Sequence, residues 1–172
     1  MSKTKFRVVR PDGISDNAFR LFDHDWTLIT AGTRKSFNTM TASWGGLGII
    51  WNKRVAFIFV RPTRYTYEFI EKSDRFTLSF LPEQHRKALA FCGSKSGRDV
   101  DKIAATGLSP VFDASGAVYF EQARLVMICR KVYLQDLAPR QFLDKQVLKF
   151  YPKRDFHRMY FGEIVKCLSA KR

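Results

Sequence analysis

The sequence predicts a mainly β fold, a closed or partly closed barrel with short helices on its outside, on three observations. Five or six segments rich in β-branched and aromatic residues recur along the chain, bounded by Gly, Pro or small polar residues. Short stretches of helical spacing interrupt them, and no internal repeat or linker divides the chain. The 172 residues are 45% hydrophobic, with 16 Phe, 6 Tyr and 3 Trp, enough to bury one sizeable core. A single domain over 1–172 is expected, with 1–25 as a lead-in packed on the barrel.

The lead-in is polar, with a turn signal at Pro11-Asp12-Gly13. Segments 26–32 and 37–43, joined by Thr33-Arg34-Lys35-Ser36, read as a hairpin and as the first firm element. Three glycines in Trp44-Gly45-Gly46-Leu47-Gly48 break the pattern. The apolar run 55–60 then suits a strand buried on both faces, ended by Arg61-Pro62. Tyr65, Phe69 and Ile70 give 65–72 the spacing of a short helix, and 75–81 alternates as a half-exposed strand does. Pro82 opens a helix over 83–91 that Gly93 stops. A small polar loop, 92–99, follows, with Asp99 as N-cap of a helix ending at Gly107. Strand composition returns at 117–120 and 123–134; Phe142, Val147, Leu148 and Tyr151 predict a helix over 142–151; and 159–166 supplies the last strand before a charged tail from Ser169.

Lys plus Arg number 30 against 16 acidic residues, a formal charge of +14. A positive field suits nucleic acid, an anionic membrane surface or a phosphorylated small molecule. The basic residues are spread over the chain instead of forming blocks, so a generally solvated basic surface is the simpler reading. No apolar run approaches the ~18 residues of a bilayer span, and Met1 to Arg10 lacks the apolar middle of a secretory signal; a soluble, cytoplasmic protein without membrane contact is expected. Cys92, Cys129 and Cys167 lie far apart, which writes neither a disulfide framework nor a zinc knuckle. His24, His85 and His157 lack ligand spacing, Asp23-His24-Asp25 reads as a solvated turn, and no metal is expected. GxSxG, HExxH and GxxxxGK[ST] are missing, so nucleophilic hydrolysis and nucleoside-triphosphate chemistry have no support. A nucleic-acid-binding barrel is the rival from another class, but Phe57, Phe59 and Phe80 sit in apolar runs as core residues do.

Three stretches bring hydroxyls, small residues and cations to strand ends or glycine turns. Asn38-Thr39-Met40-Thr41-Ala42-Ser43-Trp44 offers a backbone edge that a planar heterocycle can approach, and reads equally as a barrel strand with threonines facing water. Arg61-Pro62-Thr63-Arg64-Tyr65-Thr66 places two guanidiniums and hydroxyls at a helix start, where an anion is favoured; surface ion pairing is the plain alternative. Cys92-Gly93-Ser94-Lys95-Ser96-Gly97-Arg98 is either an anion cradle before a helix or a mobile surface loop.

In order, residues 38–45, then 55–66, then Phe76-Thr77-Leu78-Ser79-Phe80, resemble the flavin reductase-like, FMN-binding split-barrel family. Residues 92–102 resemble a signature of its flavoredoxin-like branch. Arg154-Asp155-Phe156-His157 stands where that family has Gly-Asp-His. The resemblance implies a Greek-key-like split β-barrel that holds FMN noncovalently in the groove of a homodimer. Asn38, Thr39, Met40, Thr41, Ala42 and Ser43 would run beside the isoalloxazine, with Trp44 as an apolar wall. Arg61, Thr66, Ser94, Ser96 and Lys102 would serve the phosphate and the potential near the ring, with Cys92 and Gly93 in the adjoining loop. His157 is the candidate contact at the ring's open face. Cys92 would react only if its pKa were lowered, and the inert reading is preferred. The implied activity is NAD(P)H-dependent flavin reduction; the alternative is a flavoredoxin-like carrier that keeps its FMN and exchanges electrons with a partner protein.

Overall fold

The computed structural model describes residues 5–171; the first four residues of the lead-in and Arg172 of the tail lie outside the described residues. A hairpin of β2 (Thr27–Gly32) and β3 (Phe37–Ala42) follows the short β1 (Phe6–Val9), and β4 (Gly45–Ile50) and β5 (Lys53–Val60) make a second. Then come α1 (Tyr65–Lys72), β6 (Arg75–Phe80), α2 (Arg86–Ser94) and α3 (Lys102–Thr106). A small hairpin of β7 (Pro110–Phe112) and β8 (Val118–Phe120) precedes the long β9 (Leu125–Asp136) and β10 (Arg158–Ala170). The main sheet is antiparallel, in the order β3-β2-β6-β9-β10-β5-β4, with β1 added to the far end of β10. Its non-sequential neighbours, β2 with β6 and β10 with β5, give Greek-key-like crossings.

One connection dictates the shape. β3 and β4 are the opposite ends of the sheet, yet only Ser43 and Trp44 separate them in sequence. Consecutive Cα atoms are about 3.8 Å apart, so Ala42 and Gly45 stand at most about 11 Å apart and the twisted sheet must curl until its edges meet. The edges meet without pairing, which leaves the barrel split along β3. Inside it pack Ile29, Met40, Ile58, Phe76, Leu78, Phe80, Met127 and Tyr160, all buried. A second cluster, Leu28, Leu81, Leu89, Cys92, Leu108 and Phe120, seats α2 and α3 on the outside.

The predicted first hairpin, the helix over 65–72 and the strands at 55–60, 117–120, 123–134 and 159–166 are present within a few residues of their expected ends. Elsewhere the structure differs, for identifiable reasons. The glycines after Trp44 form a strand, because a Cβ on Gly46 would stand 2.3 Å from Phe57 Cζ: their lack of side chain makes room for a ring. Phe57 and Phe59 are only half-buried, because they face outward on β5. β6 is buried on both faces, since the β7–β8 hairpin covers its outside and Thr77 Oγ1 donates to Val118 O at 2.5 Å. Gly93 does not stop α2, which runs on to Ser94; a Cβ there would stand 3.3 Å from Thr41 Cβ, so the glycine allows helix and strand to approach. The N-cap of α3 is Asp101, whose carboxylate accepts from Ile103 N and Ala104 N at 2.9 and 3.0 Å, and not Asp99. Between Pro139 and Pro152 the expected helix is reduced to tight turns over Lys145–Phe150. Within the lead-in, β1 pairs with β10 and Leu21 and Phe22 enter the barrel core, so the firm structure starts before Trp26.

Gly162 faces the barrel interior, where a Cβ would stand 2.6 Å from both Cys129 Cβ and Phe76 Cζ. Gly162→Ala is therefore expected to cost about 1–3 kcal/mol in denaturant unfolding. Gly48→Ala, with nothing within 4 Å of the added atom, is the control and is expected to change stability far less.

Candidate functional site

The open edge of the barrel carries a wide groove of about 620 Å³, lined by residues 34–39, 97–103 and Pro110, and beside it two smaller, adjoining clefts. One, of about 220 Å³, is lined by Met40, Thr41, Ala42, Ser43, Trp44, Phe59, Arg61, Arg64 and His157. The other, of about 150 Å³, is lined by Asn38, Thr63, Arg64, Tyr65, Thr66, Ser94, Lys95, Ser96, Gly97 and Lys102. Arg64 lines both, and together they reach the lower end of the roughly 300–1,000 Å³ typical of small-ligand sites.

The elements explain the lining. β3 is a sheet edge, so alternate backbone N–H and C=O groups along it lack a strand partner. Met40 and Ala42 join the barrel core, while Thr41 Oγ1 donates to Leu89 O at 2.5 Å and ties the strand to α2. At the barrel's closing link, Trp44 packs edge-on against Phe150 at 5.5 Å and against His157 at 5.2 Å. The start of α1 has no side-chain cap; Tyr67 N donates to Arg64 O at 3.0 Å, and Tyr65 and Thr66, at the first two helical positions, line the smaller cleft. Asn38 Nδ2 donates to Thr66 Oγ1 at 2.8 Å, and its Oδ1 occupies the space a Cβ on Gly97 would need, so only glycine lets the loop close there.

Two of the expected cations are committed to the protein. Lys102 is buried, its Nζ donating to Thr39 O at 2.7 Å and to Cys92 O at 2.9 Å, and burial pushes its pKa down to about 8. Arg61 donates to Asp155 Oδ1 and to Phe150 O, each at 2.8 Å, and lies over the Tyr151 ring at 4.9 Å. Arg64, present in the sequence motif but outside the expected site set, is the cation common to both clefts. It spends one bond on Gly93 O at 2.9 Å, while burial first and Arg61 second lower its pKa. Ser94 Oγ is turned back to Ala90 O at 2.9 Å, and Ser96 Oγ accepts from Arg98 N at 3.2 Å. Cys92 is buried in the α2 cluster and does not line either cleft; burial raises its pKa, so the thiol stays protonated. His157 is 7% exposed, bonded through Nδ1 to the Tyr151 hydroxyl at 2.8 Å, and burial followed by Arg61 lowers its pKa to about 4. Among the described residues no helix is long and apolar enough to cross a membrane, and no group of three or more His, Cys, Asp or Glu side chains is placed to hold a metal ion.

A split antiparallel barrel with an aromatic and cationic cleft at its open edge defines a class of small-molecule-binding barrels. Residues 19–171 match the flavin reductase like domain, and the chain belongs to that flavin-binding family. Solved structures share the fold. An FMN-binding protein from Thermus thermophilus with bound p-hydroxybenzaldehyde has a TM-score of 0.69 at 19% identity, over 96% of this chain and 82% of that one. Flavoredoxin from Methanosarcina acetivorans gives 0.66 at 22% identity, over 95% and 77%. The NADH:FAD oxidoreductase of Streptomyces globisporus C-1027, in complex with NAD and FAD fragments, gives 0.64 at 18% identity, over 84% and 74%. A search of curated proteins finds no match.

The residues present fit a flavin nucleotide. Aromatic walls and a free strand edge suit a flat heterocycle at one end, and an uncapped helix start beside Arg64 suits a phosphate at the other.

Replacing Lys102 with Met leaves two carbonyls without a donor, with an expected cost of about 2 kcal/mol in denaturant unfolding. His157 binds its proton less readily folded than unfolded, so the unfolded chain gains protons first on acidification. Stability is expected to fall as pH drops from about 6.5 towards about 4, and His157→Gln to flatten that slope in chemical denaturation at several pH values.

Proposed function

We propose that this chain is an FMN-binding flavin reductase, oxidising NAD(P)H and reducing flavin, built as one domain and acting as a homodimer in the cytoplasm. The observation that carries this reading is the junction of the two clefts at Arg64, with an aromatic wall on one side and an anion-binding helix start on the other. The flavin, when bound, supplies the hydride-accepting ring.

The chain's own residues do the positioning. Residues 40–43 of the β3 edge offer backbone groups to the polar rim of the ring, and Trp44 closes one side. Arg64, Thr66, Ser96 and the first N–H groups of α1 form the phosphate end, with Ser94 lining it while its hydroxyl stays on Ala90 O. Lys102, Arg61 and Asn38 act at one remove: they fix the strand, the 150–157 segment and the α1 start that bear the contacts. With the redox chemistry supplied by the flavin, these residues would only bind and orient, and no side chain would be required as acid or base.

A second copy is assigned to the outer face of β5, β9 and β10. There Phe57, Phe161 and Tyr133 meet Trp51 in a chain of ring contacts at 5.9–6.3 Å, and Trp51 and Tyr133 are exposed. Such a contiguous apolar face on a chain of charge +14 supports a protein partner rather than nucleic acid. The carrier reading, in the manner of the flavoredoxin neighbour, shares the same site; NAD(P)H oxidation stimulated by added flavin favours the reductase, and its absence with tightly held flavin favours the carrier.

Arg64→Ala is expected to weaken FMN binding about ten- to a hundredfold, the worth of a charge-assisted bond, while riboflavin, without the phosphate, changes much less. Equal losses for both ligands in a fluorescence titration would remove Arg64 from the phosphate end.

A further inference from the structure

We infer that Tyr151 is a positioning residue: its hydroxyl holds His157 in the tautomer that directs Nε2–H into the aromatic cleft, a neutral donor for a planar ligand bearing an uncharged carbonyl or carboxamide oxygen. This rests on the flavin reading only for the ligand's place beside the ring.

Tyr151 OH and His157 Nδ1 are 2.8 Å apart, and the phenol is the acid of the pair while the imidazole nitrogen is the base. The phenol therefore donates and Nδ1 accepts, which leaves the neutral ring's proton on Nε2. Nε2 has no hydrogen-bond partner among the described residues. It is also not one of the sealed polar atoms without a partner, which are Arg75 Nε and Ser79 Oγ. It opens instead on the cleft that His157 lines.

The phenol is itself held from behind. The Tyr151 ring stacks at 4.8 Å on Phe156, with Phe142 at 5.8 Å, and the Arg61 guanidinium covers its face. Arg61 and Asp155 are the charged groups nearest the pair, and they bind one another at 2.8 Å. A proton added to His157 would face that guanidinium in a buried setting, so the ring stays an uncharged donor at neutral pH.

The walls set the ligand's class. Trp44 and Phe59 pack against the His157 ring at 5.2 and 6.3 Å, and all three line the same cleft of about 220 Å³, so the space next to the imidazole is bounded by flat apolar faces. A neutral N–H in such an aromatic-lined cleft selects a ring with one carbonyl acceptor over its purely hydrocarbon-substituted analogue.

Two measurements test this. Nitrogen-15 NMR of histidine-labelled protein, as purified, is expected to show His157 as the Nε2–H tautomer, and Tyr151→Phe to turn it into a mixture. An Nδ1–H tautomer in the parent, or an unchanged tautomer in the variant, overturns the role of Tyr151 whether or not flavin binds. With FMN-loaded protein, the perturbation of the visible flavin band is expected to give about tenfold tighter binding of nicotinamide than of 3-methylpyridine, and Tyr151→Phe to reduce that ratio below about threefold with FMN affinity kept. Equal binding of the two probes by the parent overturns the ligand assignment. Failure to take up FMN overturns the proposed function instead, and leaves the tautomer measurement to decide Tyr151.

Discussion

The two-residue link between β3 and β4 is the constraint on which the rest depends. It joins the opposite ends of a seven-strand path, so the sheet curls into a barrel but leaves the β3 edge unpaired. A sheet edge is ordinarily a liability because its amides invite another strand. Here the edge is overlaid instead by α2 through the Thr41 bond, by the loop before α3, and by the side chains of Trp44 and His157. What remains open between those covers is the cleft. Site and closure are one feature of the backbone, and Gly93 of α2, against Thr41, and Gly97 of the following loop, against Asn38, are the residues that let the covers approach.

Electrostatics follow from that geometry. A chain of charge +14 has many cations to place, and two of those that line the clefts are used as fasteners, Lys102 across β3 and α2, Arg61 across β5 and the 150–157 segment. Removing either would leave buried carbonyls or a carboxylate uncompensated, which costs more than the bonds themselves return. Arg64, with a single carbonyl partner and a place in both clefts, is left to meet a ligand's charge.

Much of this was legible in the sequence, and the limits were physical. The barrel class, the first hairpin and α1 followed from alternation and spacing, because burial on one face writes itself into local pattern. The three stretches 38–44, 61–66 and 92–98 do meet at the open edge. The strand at Gly45–Ile50 was hidden because glycine signals a break, and only the distant Phe57 ring explains why it is tolerated. The parts of Lys102 and Arg61 were hidden for the same reason: whether a cation faces a ligand or a carbonyl depends on residues roughly sixty to ninety positions away. Tyr151 lay in a segment whose apolar spacing suggested a helix, when its ring packs with Phe142 before it and Phe156 after Pro152 instead.

The most direct measurement is a crystal structure of the protein grown with FMN. Density for the ring is expected between the β3 edge and Trp44, with the phosphate beside Arg64 and the start of α1. Flavin lodged elsewhere on the protein, or bound with its phosphate away from residues 63–66, would contradict it.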